Sequence, residues 1–248
     1  MTNETNANRC QPIRVTFFGD STCVGQGVSI YRGWVTQIAQ YLDEYGRQLG
    51  REFVVSNASI NGRTTRQALE DMPYHVQSHG VDLLVVQFGL NDCNYWATDK
   101  GLPRVSLSAF VANLREITAR GLHFGAFKVL LNNNHPTSRS KGYLPGTKLT
   151  YEDSNRKYNQ AIRNVVSDLG PCVVFQDIEQ YFSDLVAHGE KLDQFLLDDG
   201  LHLSIKGHDE YYKVMQQVIS SAVSEFLIAE SSGGGVISGS ASRGSGGG

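Results

Sequence analysis

The chain has 248 residues, of which 40% are hydrophobic and 19% charged, and a formal net charge of -3. Those values suit a globular protein with a sizeable core and leave no electrostatic footprint for nucleic acid. No apolar run approaches the roughly 18 residues that a membrane helix needs, so membrane insertion is not expected either.

Residues 1–11 are polar and lack the apolar h-region of a signal peptide, so a disordered arm and a cytoplasmic protein are expected. A buried strand is expected over 14–18. Gly19-Asp20 breaks it and Ser21 follows at once. Taken alone, Gly-Asp-Ser is ordinary turn chemistry. After the glycine-rich turn Gly25-Gln26-Gly27, Trp34, Ile38, Tyr41 and Leu42 fall at helical spacing, with Gly46 and Gly50 expected to end that helix. A short strand over 53–57 runs into Ala58-Ser59-Ile60-Asn61-Gly62, and Thr64 or Thr65 can cap the next helix.

Residues 81–88 are nearly continuous apolar sequence, as expected of a parallel strand covered on both faces, and lead to Gly89 and Asn91-Asp92. A helix over 107–120 places Phe110, Leu114 and Ile117 on one face. A fourth strand over 125–131 ends in Asn132-Asn133-Asn134-His135-Pro136. A helix over 151–169 and a fifth strand over 172–175 follow. The last helix, over 204–227, carries Tyr211, Val214, Val218, Ala222 and Phe226 at helical spacing. Helix-length connections between buried strands imply an α/β fold with a five-stranded parallel sheet covered by helices on both faces. One domain over 12–230 is expected, followed by a Gly/Ser tail over 231–248.

Several features carry less. Cys10, Cys23, Cys93 and Cys172 form no CxxC pair or zinc-ligand spacing, so reduced thiols are expected. His75 and His79 stand four apart on an expected helix but lack a third ligand, so no metal site is assigned. His208 opens the last helix and is expected to be solvated.

All carboxyl ends of a parallel sheet lie on one edge, where such sheets bind ligands. Ser21, Gly62 and Asn91 therefore converge, and Asp199-Gly200-Leu201-His202 precedes the last helix. The set fits acyl transfer. A serine hydroxyl needs a general base, His202 is the candidate, and its imidazole needs an orienting carboxylate. Asp198 and Asp199 both lie within reach, and spacing does not choose between them. The Ser21 N–H, the Gly62 N–H and the Asn91 amide could receive the oxyanion.

These blocks resemble the SGNH hydrolases, or GDSL esterase/lipase superfamily. Gly19-Asp20-Ser21-Thr22 is similar to its first block, the segment ending in Gly62 to its second, Gly89-Leu90-Asn91-Asp92 to its third, and Asp199-Gly200-Leu201-His202 to its last. The resemblance implies a flavodoxin-like three-layer α/β/α sandwich and a Ser21, Asp199, His202 triad. It also implies an oxyanion hole of Ser21, Gly62 and Asn91, and no cofactor. The expected reaction is hydrolysis of a short acyl ester, such as an O-acetyl group on a carbohydrate or other small molecule. A lipase, lysophospholipase, thioesterase or acyltransferase is the alternative in the same chemistry, and a silent binding module the alternative outside it. Substrate-side contacts are expected from Asp20, Asp92, Tyr95, Trp96 and His135, with Asp20 also shaping its turn. The loops over 98–106 and 136–149 are expected to select the substrate.

Overall fold

Strand β1 (Ile13–Gly19) is buried along its length except at Arg14, because it is covered on both faces. Its side chains alternate: Ile13, Val15 and Phe17 enter one apolar core and Phe18 the other. The same alternation splits β3 (Leu83–Gln87), which sends Leu83 and Val85 one way and Leu84 and Val86 the other. With β2 (Phe53–Asn57), β4 (Lys128–Asn132) and β5 (Val173–Gln176) these strands form one sheet of order β2-β1-β3-β4-β5. Every neighbouring pair is parallel. The chemistry-bearing loops after β1 and β3 leave the sheet side by side, where the strand order reverses and open α/β sheets form a crevice.

The computed structural model describes residues 11–232. The expected arm, apart from Gln11, and the tail beyond Ser232 lie outside the described residues, as does Cys10. Helices α2 (Trp34–Leu49), α6 (Ile178–Ala187) and α7 (Ile205–Ser232) cover one face through Trp34, Ile38, Leu42, Phe182, Tyr211 and Met215. Helices α3 (Thr65–Met72), α4 (Leu107–His123) and α5 (Tyr151–Val166) cover the other. The remaining helix, α1 (Ser21–Val24), is a single turn directly after β1. The result is the expected flavodoxin-like three-layer sandwich. Among the described residues, no helix is long and apolar enough to cross a membrane. Cys23 and Cys93 are buried free thiols and Cys172 is an exposed one.

Four details depart from the sequence expectations. Helix α2 runs through Gly46 and ends at Gly50. Gly46 serves there for close packing, since a Cβ would stand 2.4 Å from the Arg51 carbonyl oxygen. Helix α6 was not expected, although Asp177 caps it by accepting from Gln180 N–H, and Ile178 and Phe182 sit one turn apart. His75 falls in a π-helical turn, Pro73–Gln77, and His79 lies beyond it. His208, expected in solvent, is buried. Its Nδ1 accepts from the Trp34 N–H at 3.4 Å, supplying a partner for the first turn of α2, whose own cap residue Gly33 has no side chain to offer.

Candidate active site

Asp20 converts the end of β1 into α1. Its carboxylate accepts from Thr22 N–H at 3.0 Å, a helix N-cap that aims the next residue, Ser21, out of the sheet edge. Ser21 is thus the first residue of a helix, where backbone N–H groups lack intrahelical partners. Its side chain meets His202, with Nε2 and Ser21 Oγ 3.1 Å apart. The other ring nitrogen, Nδ1, lies 2.5 Å from Asp199 Oδ2. A carboxylate only accepts, so Nδ1 carries the proton, and Nε2 of the neutral ring accepts from the Ser21 hydroxyl.

The local chain explains why Asp199, not Asp198, faces the ring. Asp199 Oδ1 accepts from Leu201 N–H and His202 N–H, both at 2.9 Å, folding the segment into a turn over its own carboxylate. Gly200 sits in that turn at φ +67°, a conformation that disfavours any residue with a Cβ. Burial pushes the Asp199 carboxyl up. The hydrogen bonds from the His202 side chain and from the His202 and Leu201 backbone outweigh it and leave the group below the ordinary carboxylate range. Arg139 Nε donates to the Asp199 carbonyl at 2.8 Å and Ser138 N–H to the Gly200 carbonyl at 3.0 Å. The loop over 136–149 therefore braces this turn.

Gly62 and Asn91 come to the same edge. Gly62 has φ +76° and open space where a Cβ would stand. The Asn91 carboxamide is held at both ends: Nδ2 donates to Asp20 Oδ2 at 3.3 Å, and Oδ1 accepts from Arg104 Nη1 at 3.2 Å. Arg104 Nη2 also donates to the Gly62 carbonyl at 3.1 Å.

Three expected substrate contacts are corrected by burial. Asp92 is fully enclosed, and its carboxylate accepts from Thr65 N–H at 3.0 Å and Thr65 Oγ at 2.5 Å, anchoring the start of α3. Burial raises its pKa to about 6 against those hydrogen bonds. Asp20 is equally enclosed. Burial, opposed by the Thr22 hydrogen bond and reinforced by the Asp92 charge, raises its pKa to about 7. His135 is buried, and its Nε2–H donates to the Leu201 carbonyl at 2.8 Å. None of the three presents a surface to a ligand. Tyr95 is half-buried against the α3–α4 core. Trp96 is 52% exposed, and its ring covers the Arg104 guanidinium, whose central carbon is 4.4 Å from the ring centre. Arg104 itself was missed in the sequence, where a lone arginine in a polar loop carries no signal. Among the described residues, no cluster of three or more His, Cys, Asp or Glu is placed to hold a metal ion.

A profile of the GDSL-like lipase/acylhydrolase family matches residues 17–210. An arylesterase from Vibrio mimicus is 23% identical over 189 residues, covering 76% of this chain and 79% of that protein. An acetylxylan esterase from Geobacillus stearothermophilus superimposes with a TM-score of 0.67 at 17% identity, over 83% of this chain and 93% of its own. A lipase/acylhydrolase from Enterococcus faecalis gives 0.64 at 20% identity, over 84% and 96%. The match covers most of the chain and all four polar blocks, so the chain belongs to the GDSL-like lipase/acylhydrolase family, the SGNH type of carboxylic ester hydrolase.

Proposed function

We propose that the protein hydrolyses short-chain acyl esters, O-acetyl groups on a carbohydrate or other small alcohol in particular, through an acyl-enzyme on Ser21. The observation that carries this reading is the continuous relay from Ser21 Oγ to His202 Nε2 and from His202 Nδ1 to Asp199. Ser21 Oγ attacks the ester carbonyl carbon while its proton passes to His202 Nε2. The tetrahedral oxyanion is received by the Ser21 N–H, the Gly62 N–H and the Asn91 Nδ2–H. The intermediate collapses, the C–O bond to the alcohol breaks, and His202 returns the proton to the leaving oxygen. Water, deprotonated by His202, then attacks the acyl-enzyme; the bond from the acyl carbon to Ser21 Oγ breaks, His202 returns the proton to Oγ, and the acid leaves. Asp199 stays ionised throughout and stabilises the imidazolium. The groups that take part run from Ser21 to His202 along the chain, in keeping with one catalytic domain over 12–230.

The acetyl preference draws its support from the fold shared with an acetylxylan esterase. A series of p-nitrophenyl esters from acetyl to octanoyl, run beside acetylated xylo-oligosaccharides, tests it. A kcat/KM highest at acetyl and about tenfold or more lower at octanoyl is expected, since each methylene is worth up to that order in a pocket. A profile that rises with chain length contradicts the short-chain reading and favours a lipase or thioesterase.

A further inference from the structure

Arg104 ends the loop that follows Trp96, and the backbone returns it to the site. Its N–H donates to the Asn94 carbonyl at 2.8 Å, and Val105 N–H donates to the Asp92 carbonyl at 3.2 Å. The guanidinium then spans two groups from different strand ends, with Nη1 on Asn91 Oδ1 and Nη2 on the Gly62 carbonyl. Both targets need fixing. A carboxamide can turn over and exchange its donor for its acceptor, and the peptide that follows a glycine, here Gly62–Arg63, can flip because no Cβ resists it. Arginine only donates, so Nη1 holds Oδ1 toward itself and Nδ2 away. Asp20 takes one Nδ2 hydrogen at 3.3 Å, which leaves the second for a ligand. The Trp96 ring lies against the guanidinium, an added cation–π contact. A planar fork reaches two acceptors at once, which a lysine cannot do.

We propose that Arg104 is a positioning residue for ester hydrolysis, aligning the Asn91 Nδ2–H toward the oxyanion while holding the Gly62–Arg63 peptide beside it. This rests on the reading of the Asn91 amide as an oxyanion donor. The test is steady-state hydrolysis of p-nitrophenyl acetate by the full chain and by R104A, R104K, N91A and the N91A/R104A double variant. N91A is expected to lose about 10²–10³ in kcat, the magnitude typical of one oxyanion donor. R104A is expected to lose about tenfold or more in kcat with KM within about threefold, the pattern of an interaction made in the transition state. R104K is expected to recover only part of that loss. In the N91A background the R104A cost is expected to shrink, because residues acting through one another are not additive. N91A within about threefold of the parent protein overturns the oxyanion reading itself. N91A impaired but R104A within about threefold, or an R104A cost undiminished in the N91A background, overturns the role of Arg104 alone. Should R104A fail to fold, R104K and N91A/R104K carry the same comparison.

Discussion

His135 Nε2–H donates to the carbonyl of Leu201 at 2.8 Å, so the segment leaving β4 holds the peptide bond that carries His202. The ring is enclosed, and burial lowers its pKa to about 4, with the Leu201 hydrogen bond opposing. His135 is thereby kept neutral with its proton on the nitrogen that faces Leu201. Its folded pKa lies below the ordinary histidine value of 6.5. The stability it contributes is therefore complete above pH ~6.5 and is lost as pH falls toward 4, where the unfolded chain binds the proton first. His135→Gln should narrow its stability deficit against the parent protein over that window, by on the order of 2–3 kcal/mol from the pKa displacement. Urea unfolding at pH 7 and pH 4.5 measures it. A deficit that is the same at both pH values contradicts a buried neutral His135.

Asp20 gives the opposite sign. Its pKa is raised from 3.8 to about 7, first by burial, so the folded state holds a proton that the unfolded chain releases. That preference stabilises the fold at low pH and fades as pH rises through 4 to 7. Asp20→Asn keeps an acceptor for Thr22 N–H and removes the titration. Its stability relative to the parent protein should therefore improve from pH 5 to pH 8, by up to a few kcal/mol at about 1.4 kcal/mol per pKa unit. The same substitution turns a donor toward Asn91 Nδ2, and a fall in kcat should accompany the gain. Parallel stability curves for the two proteins across this range would refute the shift.

Gly62 separates backbone strain from obstruction. A Cβ there would meet no atom within 4 Å, but φ is +76°. Gly62→Ala should cost about 1–2 kcal/mol of stability, the left-handed penalty for a residue with a Cβ. If the Gly62 N–H receives the oxyanion, the added methyl also crowds the ligand and lowers kcat further than the stability loss explains. Thermal unfolding and p-nitrophenyl acetate kinetics on one preparation distinguish the two effects. An unchanged kcat would place Gly62 outside the reaction.

The sheet was legible because its strands are mostly apolar runs that meet a Gly, Asn or Asp at or within two residues of their ends, and because a parallel sheet sends every carboxyl end to one edge. That rule was enough to bring Ser21, Gly62 and Asn91 together before any contact was known. The short helix Ile178–Ala187 was not seen, since it begins immediately after β5 and its Asp177 cap reads equally well as a turn. The choice between Asp198 and Asp199 needed the turn geometry, in which both backbone amides point to Asp199 Oδ1. Arg104, His135 and His208 carried no usable pattern, because each works on a partner 13 or more residues away. Asp92 misled for a related reason. Its neighbour Asn91 faces the site edge, while its own carboxylate is enclosed beneath Thr65.

The central claim is that Ser21 is the nucleophile, activated by His202 and Asp199. Labelling with a fluorophosphonate, read by intact mass and peptide mapping, tests it most directly, because only an activated serine reacts readily. One label per chain located on Ser21, absent in Ser21→Ala and strongly slowed in His202→Ala, is the predicted result. Labelling of another residue, or retention of full esterase activity by Ser21→Ala, would contradict it.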